Sequence, residues 1–211
     1  MEQTKWTFLY WLVHHTGKLY SRLFLKMKVI GTENLLETEP SLIVSNHASY
    51  LDPPLISYAF TRPIVFLARK TLFKGWLKPI IENLNAFPVD QENPEMSSLK
   101  GMIRRIREGA RVLVFPEGTR TETGEMKEGQ AGVGLIAAKC RAKIQPVYIH
   151  GSYEAWPKGG KYRLHPITVV IGEAFDLPDE LKNSKSKDVY QKVSDLMVEK
   201  IAGLKEQIPS P

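Results

Sequence analysis

Two short polar clusters carry the residues able to do chemistry. In Asn46-His47-Ala48-Ser49-Tyr50-Leu51-Asp52-Pro53, a histidine precedes an aspartate by five positions. An imidazole takes a proton on one ring nitrogen most readily when a carboxylate bonded to the other nitrogen fixes the tautomer and steadies the imidazolium. His47 as a general base oriented by Asp52 meets that description. Taken alone, the two residues also fit a loop histidine beside a helix-capping aspartate, because Asp is a common N-cap. The second cluster is Phe115-Pro116-Glu117-Gly118-Thr119-Arg120. Here proline stops a strand ladder, and glycine admits a backbone conformation that turns Glu117, Thr119 and Arg120 toward one site. Arginine offers a planar fork to phosphate oxygens, and a carboxylate accepts hydrogen bonds from hydroxyls. A tight turn with solvated charges is the other reading of this hexapeptide.

The position of both clusters follows from what precedes them. Leu42-Ile43-Val44 and Val112-Leu113-Val114 are short apolar runs with β-branched residues, the pattern of strands covered on both faces. Each cluster is therefore expected at a C-terminal strand edge. On an ideal helix His47 and Asp52 would stand about 140° apart, since each residue advances by roughly 100°. A loop between strand and helix lets them face each other. Asp52 precedes Pro53, and proline suits the first helical position, so a helix is expected from Pro53 with Asp52 as its cap.

The rest of the chain alternates in the same way. Strands are expected at 27–30, 41–45, 64–68, 86–89, 111–115, 144–149 and 167–171. Helices are expected at 53–60, at 73–81 with an interruption at Pro79, from Asn93-Pro94 to the stop at Gly109, and at the Gly/Ala-rich stretch 129–139. A last amphipathic helix carries Val189, Val193, Leu196, Met197, Ile201 and Leu204. This alternation predicts an α/β fold, a single mixed-sheet αβ sandwich with functional loops at the strand ends. One domain, 28–211, follows an N-terminal segment, 1–27.

That segment is rich in apolar and aromatic residues but broken: Thr7 to Val13 falls far short of the roughly 20 residues that span a bilayer, and His14, His15, Lys18 and Arg22 follow. Trp6, Tyr10, Trp11 and Tyr20 interleaved with Lys5, Lys18 and Arg22 suit an amphipathic helix lying in a membrane surface. A helix packed on its own domain fits the pattern equally. Lys and Arg exceed Asp and Glu by 29 − 23 = 6, which favours anionic partners without choosing among them. Nucleic acid has only that charge in its favour. The single Cys140 rules out an internal disulfide and a thiolate cluster, with a reducing, cytoplasmic-side location as the default. His14, His15, His150 and His165 show no ligand spacing, so no metal site is expected. No G-x-S-x-G elbow or glycine-rich Lys-Ser/Thr phosphate loop occurs.

The two clusters, in this order and at this separation, resemble the N-H-x-S-x-x-D-P and F-P-E-G-T-R signatures of the glycerolipid acyltransferases, above all those acting on 1-acyl-glycerol-3-phosphate. The resemblance covers roughly Val29 to Phe175. It implies transfer of a fatty acyl group from acyl-CoA or acyl carrier protein to a lysophosphatidic acid hydroxyl, with no cofactor beyond that donor, at the cytoplasmic face of a membrane. It also implies His47 and Asp52 as catalytic, and Glu117, Gly118, Thr119 and Arg120 as substrate-binding. Backbone N–H groups near the histidine motif would serve the oxyanion. Arg69 and Lys70, in A-R-K-T-L-F, match a basic block that helps hold the substrate phosphate in relatives. Asn85 and Gln91 stand where relatives often have glycine and arginine, which shifts the phosphate burden to Arg120 and the Arg69/Lys70 pair. Lys127, Gly129 and Pro146 match further elements, Pro146 as a structural position.

Overall fold

Apolar runs without polar alternation can be buried only by helices on both faces, and that is how this chain is built. The computed structural model describes residues 6–89, 96–182 and 186–209. Within them the order is α1 (Phe8–Phe24), β1 (Lys28–Ile30), β2 (Ser41–Ser45), α2 (Asp52–Ala59), β3 (Val65–Arg69), α3 (Leu77–Asn83), β4 (Ala86–Val89), α4 (Met96–Arg107), β5 (Arg111–Val114), α5 (Ala131–Cys140), β6 (Lys143–His150), α6 (Ser152–Ala155), β7 (Thr168–Ile171), α7 (Asp179–Lys182) and α8 (Lys187–Gly203). The strands form one sheet in the order β1-β7-β6-β2-β5-β3-β4. β6, β2, β5, β3 and β4 run parallel, β7 runs antiparallel to β6, and β1 runs with β7. The sheet is thus mixed, as expected.

The pleat sends alternate side chains to opposite layers. Leu42, Val44, Val112 and Val114 pack with Met102 and Ile106 of α4, Ile136 of α5, and Val193 and Met197 of α8. Ile43, Leu113, Val147 and Ile149 pack with Leu55, Ile56 and Phe60 on the other face. Burial of each such side chain stabilises the fold by roughly 1.5–3 kcal/mol. The small residues of α5 let it approach α8 closely: a β-carbon on Gly134 would overlap the Tyr190 carbonyl.

α1 packs on the domain with one side and leaves the other in the open. Thr7 caps it, accepting from the Tyr10 amide at 3.0 Å, and Tyr10, His14 and Ser21 turn inward. A β-carbon on Gly17 of α1 would overlap the Tyr58 hydroxyl of α2, so glycine lets the Tyr58 ring lie against the helix as it does. The opposite side leaves Phe8, Trp11, Leu12, Leu19, Leu23 and Phe24 exposed.

Several boundaries differ from expectation. α2 begins at Asp52 rather than Pro53, with Leu51 at the N-cap. α3 lies at Leu77–Asn83, which places Pro79 in its first turn, where a missing N–H costs little. The expected start at Asn93-Pro94 lies outside the described residues. The four-residue helices α6 and α7 are too short to leave a period in the sequence.

Candidate active site

β2 and β5 are hydrogen-bonded neighbours, and the polar clusters emerge side by side from their C-terminal ends. The His47 Nδ1 lies 2.8 Å from the Asp52 Oδ2. A carboxylate accepts, so Nδ1 carries the proton and Nε2 presents its lone pair. The His47 side chain keeps 15% of its surface, whereas Asp52 has none. The Phe115 ring stacks on the imidazole at 3.8 Å and 14°, fixing its plane.

Asp52 does not cap its own helix. Its Oδ2 also accepts the amides of Ala48 and Ser49, each at 2.7 Å, so the carboxylate turns back into the loop and closes it around His47. Glu117 does a parallel task. Its Oε1 accepts the His47 amide at 2.7 Å and its Oε2 the Lys127 amide at 3.0 Å. With 2% of its surface exposed, Glu117 faces inward and holds the backbone of both loops. Burial pushes its carboxyl up, against the pull of the Lys127 and His47 amides. The Thr121 amide donates to the His47 carbonyl at 2.9 Å, tying the two loops a second time.

These bonds commit the amides of His47, Ala48 and Ser49, so none of the three is left for an oxyanion. The neighbouring hydroxyls are also engaged. Ser49 Oγ donates to the Trp156 carbonyl at 2.8 Å, and Ser45 Oγ to Asn46 Oδ1 at 3.4 Å. The Asn46 amide exchanges two hydrogen bonds with the Ile149 backbone, fastening the loop to β6.

Gly118 sits at φ +71°, the left-handed conformation that glycine takes without strain, and this turn aims Arg120 back across the site. The guanidinium carbon lies 3.4 Å above the centre of the Tyr50 ring. Arg120 Nη1 is buried without a hydrogen-bond partner among the described residues. By hydrogen bonding and charge, Arg120 holds the exposed Tyr50 phenol below its ordinary value, with smaller pulls from Arg69 and Lys158. Lys127 Nζ donates to the Arg120 carbonyl at 3.0 Å. Thr119 and Gly118 are exposed at the turn, and Arg69 and Lys70 are exposed where β3 ends. Tyr50 in turn packs near Trp156 at 5.2 Å. Sequence reasoning missed Tyr50, Trp156 and the stacking role of Phe115. The first two are brought together by the Ser49–Pro157 bridge, for which no local signal exists.

A family profile described as Acyltransferase matches residues 26–150, which includes both loops. The chain belongs to the acyltransferase family. It is 29% identical to the 1-acyl-sn-glycerol-3-phosphate acyltransferase of Bacillus subtilis over 187 residues, covering 86% of this chain and 89% of that one. It is 30% identical to the enzyme of the same name from Pseudomonas aeruginosa, covering 74% and 62% respectively. A Chlamydomonas reinhardtii relative of that name is 30% identical over 72% of this chain, which spans 47% of the algal protein. Among solved structures, the 1-acyl-sn-glycerophosphate acyltransferase PlsC of Thermotoga maritima superposes with a TM-score of 0.75 at 27% identity, over 96% of this chain and 81% of that one. This acyltransferase is therefore similar in sequence and architecture to enzymes named for lysophosphatidic acid.

Proposed function

We propose that this acyltransferase moves a fatty acyl group from a thioester, acyl-CoA or acyl carrier protein, to the sn-2 hydroxyl of 1-acyl-glycerol-3-phosphate, giving phosphatidic acid. The observation that carries the reading is the 2.8 Å His47–Asp52 pair with Nε2 open, in a loop closed by three further carboxylate–amide bonds. Nε2 takes the proton as the acceptor oxygen attacks the thioester carbonyl. The new ester bond forms, the carbon–sulfur bond breaks, and the imidazolium returns the proton to the departing thiolate. Asp52 keeps the tautomer and steadies the charge. A direct transfer fits the surroundings, because Ser45 and Ser49 are engaged elsewhere and Cys140 is buried in α5.

The phosphate binds at Arg120, whose Nη1 has no hydrogen-bond partner among the described residues, with Arg69 and Lys70 at the end of β3 adding charge. Glu117 is a positioning residue that sets the His47 backbone, and Gly118 and Thr119 form the turn that delivers Arg120. No helix among the described residues is long and apolar enough to cross a membrane. The exposed apolar side of α1, with Trp76 and Leu72 before α3, rests on the bilayer surface at its cytoplasmic face, so that residues 1–27 anchor the catalytic domain at 28–211. The test is incubation with a panel of glycerophosphate acceptors, glycerol-3-phosphate included, and both donors, with products read by mass spectrometry. Phosphatidic acid from lysophosphatidic acid is expected. Exclusive acylation of glycerol-3-phosphate, or no thiol release, would overturn the reading.

A further inference from the structure

The helical layer opposite α1 carries a groove the reaction does not use. It encloses about 360 Å³ between α4 and α5 and is lined by Lys100, Ile103, Arg104, Arg107, Glu108 and Lys139. α4 has four cations, at 100, 104, 105 and 107, and no acid. Arg105 turns inward onto the Phe87 ring at 4.9 Å, while Lys100, Arg104 and Arg107 are exposed. Arg107 is held in place by donating to the Lys139 carbonyl at 2.7 Å, which joins the two helices and shapes the wall. Glu108, the one acid in the lining, stands 4.0 Å from Arg104. On the same side α8 balances Asp188, Asp195 and Glu199 against Lys187, Lys192 and Lys200, whereas cations outnumber acids in the α4/α5 groove.

We propose that this groove docks the acidic face of a carrier protein that brings the acyl chain as a thioester. The inference rests on the acyl-transfer reading above. Two placements favour a soluble acidic protein over a lipid surface. The groove lies across the sheet from the exposed apolar side of α1, so a bilayer under α1 cannot also reach it. The N-terminus of α4 follows β4, at the C-terminal end of the parallel strands where His47 also sits. Lys100 is only about 6 Å along the helix axis from Met96, at 1.5 Å per residue. The lining runs from Lys100, near that end, to Arg107, roughly 16 Å along the axis from Met96 at 1.5 Å per residue, so a carrier lying along α4 sends its flexible arm past Lys100 to reach the catalytic end. Complementary charge of this kind steers encounter and sets register.

The test uses full-length protein and the double variant Lys100→Glu/Arg104→Glu, at two exposed positions outside the catalytic machinery, with retained fold checked by thermal melting. Acyl carrier protein and acyl-CoA are compared as donors to one acceptor in detergent, and the unacylated carrier is titrated by fluorescence anisotropy. The expected result is a rise of about tenfold or more in KM for the carrier donor, with kcat and the acyl-CoA KM unchanged, weaker carrier binding, and a difference that shrinks as salt screens it. An equal rise for acyl-CoA would overturn the proposal in favour of a nucleotide-phosphate site. Unchanged carrier binding, or loss of flotation with phosphatidylglycerol vesicles, would also overturn it. Failure of wild type to transfer from either donor while still binding the carrier would count against the acyl-transfer reading alone.

Discussion

His47 and His14 are the same residue in two environments, and their environments separate their chemistry. His47 ends a strand, bonds a carboxylate through Nδ1, and keeps Nε2 open. His14 lies on α1 among the rings of Trp6, Tyr10 and Tyr58, with the Ser57 hydroxyl 3.4 Å from Nδ1. Burial, with Lys18 and His15 nearby, lowers its pKa to about 4. In the reaction proposed above, the His47 imidazole becomes a cation during each turnover. The other is kept neutral, as a piece of packing between α1 and α2.

The largest effect expected from breaking this contrast is His47→Ala. General acid-base assistance typically contributes about 10²–10⁴-fold, and turnover should fall at least that far while the melting curve and vesicle flotation stay as in wild type. Asp52→Asn follows. It removes the tautomer lock and alters an acceptor shared by three donors, so kcat should fall by a similar order and stability by about 1–3 kcal/mol, read by denaturant titration. Arg120→Ala should raise the acceptor KM about tenfold or more and leave the donor KM unchanged, because a charge-assisted phosphate bond is worth about 1.5–3 kcal/mol. Steady-state kinetics on each substrate separates the two. Equal changes would mean that Arg120 serves the turn and not the phosphate.

His14 gives the smallest effect on turnover and a distinct one on stability. Its folded pKa is depressed, so the stability linked to neutral His14 is fully present above the ordinary value of 6.5 and is lost as pH falls toward about 4. His14→Gln should leave kcat at pH 7 unchanged and flatten the stability loss across that window in urea titrations. A variant that lost stability as steeply as wild type would show that another group governs the acid limb.

Much of this was legible in the sequence. The expected strand ranges 41–45 and 86–89 match β2 and β4 residue for residue, because unbroken apolar runs bounded by proline, polar or glycine-containing segments have few other solutions. The two clusters were expected at strand ends and are found there. The carboxylates were less readable. Asp before proline looks the same whether it caps the coming helix or turns back on the preceding loop, and only the structure shows Oδ2 bonded to Ala48 and Ser49. Glu117 belongs to a type seldom buried unless paired, and its partners, the amides of His47 and Lys127, lie 70 and 10 positions away. Trp156 reaches Tyr50 through a contact between Ser49 and the carbonyl 107 residues later, a separation at which local pattern carries no information.

The role proposed for His47 is to activate the acceptor hydroxyl for direct attack on the thioester. Rapid-quench measurement of thiol release from stoichiometric enzyme and labelled acyl donor tests it, with and without lysophosphatidic acid. No burst without acceptor, no label on the protein, and a burst-free, His47-dependent release once acceptor is added are expected. A stoichiometric burst of thiol in the absence of acceptor, with the acyl label retained on the chain, would contradict it.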